Sequence, residues 1–594
     1  MAKWFMAAKK ADFQKIAEKF HIDPVVSRII RNRDIVTEEE IRLYLYGTLE
    51  DIHAPGLLKD ASKAVSILKD KIRTKKKIRI IGDYDVDGIC ATYILLKGLT
   101  VCGALADAVI PHRMKDGYGI NEALVEDAIS DGIDTILTCD NGIAAKGVLE
   151  YAKENGLTCV VTDHHEIPFE EIDGIKKYMI PDVDAVIDPK QEDCGYPFKN
   201  ICGALIAYKL IQLLLEDCGV EQTKAEKTMR ELLEPAGIAT VCDIMPLTGE
   251  NRIIVKTALE YLKNAENPGL KALISVNELD ASKLTSFGIG FVIGPCINAT
   301  GRLDTAQLAL ELLQAESFEA AVPLAEALKE YNINRKEMTE NGVKEAEKLL
   351  LSSAYDNDKV LVLYLPDVHE SLAGIIAGRI REKTGKPVFV LTKANEGVKG
   401  SARSIEGYSI YEEMTKCSHL FTKYGGHKMA AGLSMHEEDI DNFRRLINEN
   451  CTLTEEDFEE KLLIDVPMPL GYVTKTLLTQ LSLLEPFGNG NEKPVFAQKN
   501  VYFIRAFRMG RNQNMARFEV MDEQERYYEL VLFREVERFE EYMNRKFGDR
   551  TAEKLFSGQK GTKETAPVMD IVYYPSLNEF RGKSSIQFLL QDYR

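Results

Sequence analysis

The spacing of apolar residues changes along the chain, and each change predicts a different element. Between residues 75 and 255, short β-branched runs alternate with helix-spaced segments. The runs include Ile78-Arg79-Ile80-Ile81, Thr135-Ile136-Leu137-Thr138 and Thr158-Cys159-Val160-Val161, and the helical segments include 144–152 and 204–215. That alternation predicts a doubly wound parallel sheet. Residues 305–351 are rich in Ala, Leu, Glu and Lys with few breakers, which predicts long connecting helices. A second α/β unit follows, with strands at 360–365, 387–392 and 398–404 and helices at 372–381 and 411–416. Near the C-terminus come β runs at 501–507, 515–520 and 527–533, a helix at 536–547, and further β runs at 571–574 and 584–591. Three strands, a helix and two strands is the order of an OB-fold barrel. At the other end, 37–46 and 61–68 read as amphipathic helices, the first opened by a capping box of Thr37 with Glu40. The expected organisation is a helical cap or docking segment (1–70), a catalytic α/β domain (75–255), a helical connector (256–355), a second, substrate-binding α/β domain (356–460) and an OB-fold single-strand-binding domain (461–594).

The three strand-like runs end in metal-ligand residues. Asp83-Tyr84-Asp85-Val86-Asp87-Gly88 follows the first, Asp140-Asn141-Gly142 the second, and Asp163-His164-His165 the third. In a parallel sheet the carboxyl ends of the strands share one edge, so these residues converge into one cluster. An EF-hand begins with a similar acidic repeat, but it requires a Glu at its twelfth position and a helix on each side. Counted from Asp83 that position is Ile94, and the preceding residues are β-branched. Three aspartates within five residues repel one another without a cation, which favours a metal site over a helix cap. Aspartates with a histidine favour Mg²⁺ or Mn²⁺, the imidazole shifting the preference towards Mn²⁺.

Composition narrows the class. The chain has 594 residues, 45% hydrophobic, and a net charge of −18, which argues against a protein that coats nucleic acid. Residues 69–77 and 505–517 are nevertheless locally basic. Tyr502, Phe503, Phe507 and Phe518 interleave with Arg505, Arg508, Arg511 and Arg517, a pattern suited to base stacking beside phosphate contacts. The competing reading is that these rings fill the barrel core. The eleven cysteines are scattered with no CxxC pair, and the chain shows neither a membrane-spanning run nor a signal-peptide pattern. The expectation is a soluble cytoplasmic enzyme, not a membrane protein.

In order and spacing, Gly82–Gly88, Asp140–Gly142, Asp163–His165 and Asp243-Ile244-Met245-Pro246 are similar to the four motifs of the DHH phosphoesterases. Gly400-Ser401-Ala402-Arg403-Ser404 and Gly425-Gly426-His427-Lys428 resemble the DHHA1 domain that accompanies them. Asn298-Ala299-Thr300-Gly301-Arg302-Leu303, Asp116-Gly117-Tyr118-Gly119 and the terminal OB-like unit narrow the likeness to the single-strand exonuclease branch. The resemblance implies a two-metal 5′→3′ exonuclease that releases 5′-mononucleotides from single-stranded DNA in repair and recombination. It places two Mn²⁺ ions, with Mg²⁺ as the alternative, on Asp85, Asp87, Asp140, His164 and Asp243, with Asp140 bridging. His165 would face the scissile phosphate and Asp163 would orient a histidine. Asn298, Arg302, Ser401, Arg403, Gly426, His427 and Tyr118 would contact substrate. Implied partners are single-stranded DNA, a single-stranded-DNA-binding protein and a helicase.

Two other readings compete. One is a DHH phosphatase or nanoRNase acting on short oligonucleotides, pAp or cyclic di-AMP, which the OB-like unit disfavours. The other is a non-catalytic DNA-binding relative, which the complete set of acidic and histidine positions disfavours. The chain also departs from related pyrophosphatases. Ile81 stands where they carry a ligand histidine, and Val368 and Ser371 flank His369 where many relatives have Trp and Gly.

Overall fold

The computed structural model describes residues 2–594 apart from 114–115, 118, 173–174, 304, 395–396 and 581–582. Tyr118 therefore lies outside the described residues. Contacts divide the chain into two compact units, one of Gly47–Phe458 with Pro486–Gly490, the other of Met1–Tyr46, Glu459–Glu485 and Asn491–Arg594.

The larger unit is built on a five-stranded parallel sheet of β1 (Lys77–Ile81), β2 (Leu105–Val109), β3 (Thr135–Cys139), β4 (Thr158–Thr162) and β5 (Ala185–Ile187), in the order β2-β1-β3-β4-β5. Strand β1 has β2 on one side and β3 on the other, so the winding reverses there. Such a switch point opens a crevice at the carboxyl ends of the strands. Helix α1 (Val86–Val101) starts at that crevice and is buried along most of its length between α2 (Gly203–Asp217) and α3 (Gln222–Cys242). A helix that is apolar on nearly every face needs neighbours around most of it. Ile78, Ile80, Leu137 and Val160 join its core on the sheet.

Helix α4 (Gly294–Leu303) continues a π-helical turn at Ile289–Ile293, and α5 (Phe318–Leu350) runs 33 residues, about 50 Å, towards the second lobe. That lobe holds β6 (Leu361–Tyr364), α6 (Ala373–Thr384), β7 (Val388–Lys393), β8 (Val398–Arg403), β9 (Phe421–His427) and β10 (Ala430–Met435), with strand order β9-β10-β8-β7-β6. Only β6 and β7 run parallel. The Gly-Gly-His segment lies on edge strand β9. Gly425 faces Gly432 across the pair, and Gly426 has φ +150° with Ala430 O 2.5 Å from where a Cβ would stand.

In the smaller unit, β11 (Phe496–Met509), β12 (Met515–Met521), β13 (Tyr527–Leu532), β14 (Val568–Phe580) and β15 (Lys583–Tyr593) form a sheet that closes where β11 pairs with β14. The helix Val536–Phe547 lies between β13 and β14 in sequence, so the OB-fold order holds. Lys3–Met6 forms a parallel pair with Lys461–Ile464. Thr37 and Glu40 make both bonds of the expected capping box, since Glu40 N donates to Thr37 Oγ1 and Thr37 N donates to Glu40 Oε2.

The aromatic and arginine interleaving has a structural explanation. Phe503 and Phe518 are fully buried and pack on Phe539, so they belong to the barrel core. Arg505 pairs with Glu519, Arg508 with Glu540, and Arg517 with Glu529. Phe503 and Phe518 are thus removed as stacking positions. In the other basic stretch, Lys69 pairs with Asp217 and Lys71 with Asp134. All eleven cysteines are free. Among the described residues, no helix is long and apolar enough to cross a membrane.

Candidate metal centre and substrate cleft

The ends of β1, β3 and β4 deliver their polar residues to one point. Asp85 is the N-cap of α1, and its Oδ1 accepts from Asp87 N at 2.9 Å and Gly88 N at 3.1 Å. The first motif is therefore also a helix start, with the next carboxylate, Asp87, in the first turn. Asp87 is buried. Its oxygens accept from Gly203 N at 2.6 Å and Ala204 N at 2.8 Å, the first amides of α2. Asp140 leaves β3 with φ +58°, a left-handed conformation that Asp and Asn adopt more readily than most residues. Asp243 arrives differently, as the C-cap of α3, followed by Ile244 at φ +55°.

These groups meet at His164. Its Nε2 lies 3.0 Å from Asp140 Oδ1, 3.4 Å from Asp87 Oδ2 and 3.6 Å from Asp243 Oδ2. Three sets of potential ligand atoms each fall within 4.8 Å of one another: Asp87, His164 and Asp243; Asp83, Asp85 and Asp140; and Asp140, His164 and His165. Asp140 belongs to two of them. Asp83 was outside the ligand set drawn from the resemblance, yet it stands beside Asp85 and Asp140. At the position of the missing histidine, Ile81 is fully buried.

Asp163 is in none of the three sets. Its Oδ2 accepts from Ile143 N at 2.9 Å, and its Oδ1 accepts from His164 N at 2.7 Å and from His165 Nδ1 at 2.7 Å. It holds the turn and fixes the second imidazole. Burial opposes the charge on His165, but the bond to Asp163 outweighs it and raises the pKa to about 9. Burial lowers the pKa of His164, leaving a neutral imidazole of the kind that binds metal.

The donor set fits divalent cations. Asp83 Oδ1 and Asp243 Oδ2 are buried without hydrogen-bond partners. Burial, then repulsion from Asp85, pushes Asp83 up to about 8; burial, then Asp87 and Asp85, does the same to Asp243. Asp140 is raised by burial and by Asp87. With only the His165 imidazolium beside them, these buried carboxylates are stable when all ionised only around further cations.

A pH dependence follows. Unfolded, Asp83 and Asp243 release their protons near the ordinary value of about 4; folded and metal-free, they hold them to about 8. The folded state therefore binds more protons between those values, and stability falls as pH rises. His165 acts in the same direction: its contribution is complete below about 6.5 and is lost as pH rises through about 9. In chelator the melting temperature should drop between about pH 5 and pH 8, and Mn²⁺ should raise it by several degrees more at the higher pH. Calorimetry across that range checks this, and a metal-induced shift independent of pH would contradict it.

An open cleft of about 430 Å³ is lined by Tyr84 and Arg113 from the first lobe and by Ser371, Lys399, Ser401, Lys423 and Tyr424 from the second. Arg302, partly buried, donates to Ser371 O at 2.9 Å. Burial, then Arg113, depresses its pKa to about 10. Arg403 passes over the start of α6, where a Cβ on Gly374 would lie 2.9 Å from its Nη2, and it donates to Ala402 O. No ion pair with a carboxylate is found for Arg302 or Arg403 among the described residues. Of the expected substrate residues, Ser401 lines the cleft, while Asn298, Arg302, Arg403, Gly426 and His427 are not on its wall. His427 is exposed, and its Nδ1 accepts from Met429 N. In the sequence, a glycine that opens a helix after a turn is the one sign of the Gly203 and Ala204 amides that hold Asp87.

Known proteins share this arrangement. Residues 77–240 match the DHH family N-terminal domain, 357–452 the DHHA1 domain, and 464–592 the RecJ OB domain. The chain is 34% identical over 514 residues to the single-stranded-DNA-specific exonuclease RecJ of Bacillus subtilis; the match covers 86% of this chain and 63% of that protein's length. It is 31% identical over 492 residues to the Escherichia coli protein of the same description, covering 80% of this chain and 83% of that one. The crystal structure of RecJ from Thermus thermophilus in complex with Mn²⁺ aligns with a TM-score of 0.80 at 25% identity, covering 100% of this chain and 79% of that one. The Mg²⁺ complex of that protein aligns at 0.74 and 24% identity, covering 100% and 78%. The motif order, the two α/β lobes and the terminal barrel thus have one common source, and the chain belongs to the RecJ family of DHH phosphoesterases.

Proposed function

We propose that this protein is a metal-dependent exonuclease that hydrolyses single-stranded DNA from its 5′ end to 5′-mononucleotides, in repair and recombination. The observation that carries this reading is the convergence of Asp83, Asp85, Asp87, Asp140, His164 and Asp243 at one sheet edge, beside a basic cleft. The 5′→3′ direction rests on the family resemblance.

Asp85, Asp87, Asp140, His164 and Asp243 would hold two Mn²⁺ or Mg²⁺ ions, with Asp83 supplying a further oxygen beside Asp85 and Asp140. When bound, such ions lower the pKa of a water and offset charge on the phosphate oxygens. The protein's own side chains orient and charge the site. The α2 amides fix both oxygens of Asp87, and Asp163 fixes His165. His165 carries a proton at neutral pH and is half-exposed, so it faces an approaching phosphate as a cation. Arg302, and Arg403 with Ser401, provide planar donors and a hydroxyl for phosphate oxygens at the strand end. A helicase and a single-stranded-DNA-binding protein would supply and hold the strand, because the enzyme accepts only unpaired DNA. Free cysteines throughout fit a reducing cytoplasm.

Single strands labelled at the 5′ or the 3′ end, incubated with the full chain and Mn²⁺, test the reading. The expected result is immediate release of the 5′ label as mononucleotide, slow loss of the 3′ label, no cleavage of blunt duplex and no reaction in chelator. Turnover confined to very short oligonucleotides or cyclic dinucleotides would overturn it.

A further inference from the structure

Phe287 and Phe291 are 65% and 64% exposed, and their rings stack with centroids 4.5 Å apart and planes 23° apart. Two exposed aromatic side chains stacked on one another make a contiguous apolar patch, the kind of surface that marks an interaction site. Phe287 stands just before the π-helical turn at Ile289–Ile293 and Phe291 lies within it, a distortion that often marks functional sites.

Their position in the helix shows where they lead. Residues 287, 291, 295, 298 and 302 recur at the spacing of one helical face. Along that face exposure falls towards the cleft: Phe287 and Phe291 are exposed, and Pro295, Asn298 and Arg302 are partly buried. Ile289, Ile293, Ile297 and Gly301 on the other sides are buried. The face ends at Arg302, which bonds Ser371 on the cleft wall. The helix also runs against the last turn of α3. A Cβ on Gly290 would lie 3.6 Å from Val241 Cγ1, and one on Gly294 would lie 2.3 Å from Cys242 Sγ, directly before Asp243.

We propose that Phe287 and Phe291 form a base-stacking platform that holds single-stranded nucleic acid along the α4 face as it runs to the metal centre. The proposal rests on the exonuclease reading and extends it to residues outside the cleft. The chemistry of the face selects the occupant. Exposed ring faces are followed along the helix by an amide and then a guanidinium, the order that suits stacked bases and then phosphates. Only unpaired bases offer their own faces for stacking, so the platform also favours single strands. From Phe291 to Arg302 the helix covers about 16 Å, or about five nucleotides at the rise of a stacked strand. The platform therefore touches long substrates and misses dinucleotides.

The test compares the full-length parent with F287A/F291A and F287L/F291L, on 5′-phosphorylated single strands from dinucleotide length upwards, with 2-aminopurine placed at successive positions. The alanine pair should raise the KM for long strands about 10- to 100-fold, leaving kcat and dinucleotide turnover unchanged. The leucine pair keeps the apolar surface without the rings and should recover little. Quenching of 2-aminopurine a few nucleotides from the end should be present in the parent and lost in both variants. Unchanged KM at every length would overturn the platform. So would full recovery by leucine, or a change in sedimentation showing that a second copy covers this face. Failure of the parent itself to degrade single strands would instead overturn the exonuclease reading.

Discussion

Asp140→Asn should abolish hydrolysis while making the metal-free protein more stable. Asp140 belongs to two of the three potential ligand sets, so its loss weakens both metal positions. The expected fall in kcat is at least about 10²–10³-fold at saturating Mn²⁺, the scale for removing a group that organises transition-state charge. Stability moves the other way. Burial and four neighbouring aspartates hold the folded carboxyl far above its unfolded value. Keeping that proton in the fold, while the unfolded chain releases it, therefore costs stability at pH above about 4, and an amide that does not titrate removes that cost. Asparagine suits the test because φ at this position is +58°, a conformation it tolerates and alanine does not. In chelator at about pH 8 the variant should melt several degrees above the parent, and the difference should vanish near pH 4. Retained turnover would show that Asp140 is not the shared ligand, and a lower metal-free melting temperature would show that its carboxyl does not destabilise the empty site.

Where the sequence was legible, local rules and tertiary structure agree. β-branched runs became the parallel sheet, and the acidic turns after β1, β3 and β4 share an edge because parallel strands leave no alternative. The order of strands and helix at the C-terminus gave the barrel. Other features depend on contacts distant in sequence. Asp83 sits in the same turn as two expected ligands, but only the path of the turn decides whether its carboxylate faces inward. The amides that hold Asp87 come from Gly203 and Ala204, far along the chain. Lys3–Met6 pairs with Lys461–Ile464, a register that nothing local announces. Phe503 and Phe518 looked like stacking residues because aromatic and basic residues alternate on any strand with one face in a core and the other paired to glutamates. Nothing local marks Phe287 and Phe291 as exposed, because apolar residues at a four-residue spacing in a helical stretch normally mean burial.

Gly301→Ala should be nearly as damaging as loss of a ligand, without touching one. A Cβ at Gly301 would stand 2.4 Å from the backbone oxygen of Tyr84, which lies between Asp83 and Asp85. Backbone cannot rotate away as a side chain can, so α4 and the first motif must separate. The shift moves Arg302 on one side and the Asp83 and Asp85 carboxylates on the other. A displacement of about 1 Å in positioning groups costs about 10²-fold in rate. The variant should therefore lose about 100-fold or more in kcat/KM, need more Mn²⁺ for half-maximal activity, and lose about 1–3 kcal/mol of stability from overpacking. Gly378 is the control. It lies inside helix α6, and a Cβ added there would meet nothing within 4 Å. Gly378→Ala should therefore gain up to about 1 kcal/mol from helix propensity with activity unchanged. If Gly301→Ala keeps the parent's rate and metal requirement, the close approach of α4 to Tyr84 does not set the geometry of the centre. Arg302 would then have to act by charge at a distance, and neutralising it with Arg302→Gln would reduce activity more than displacing it does.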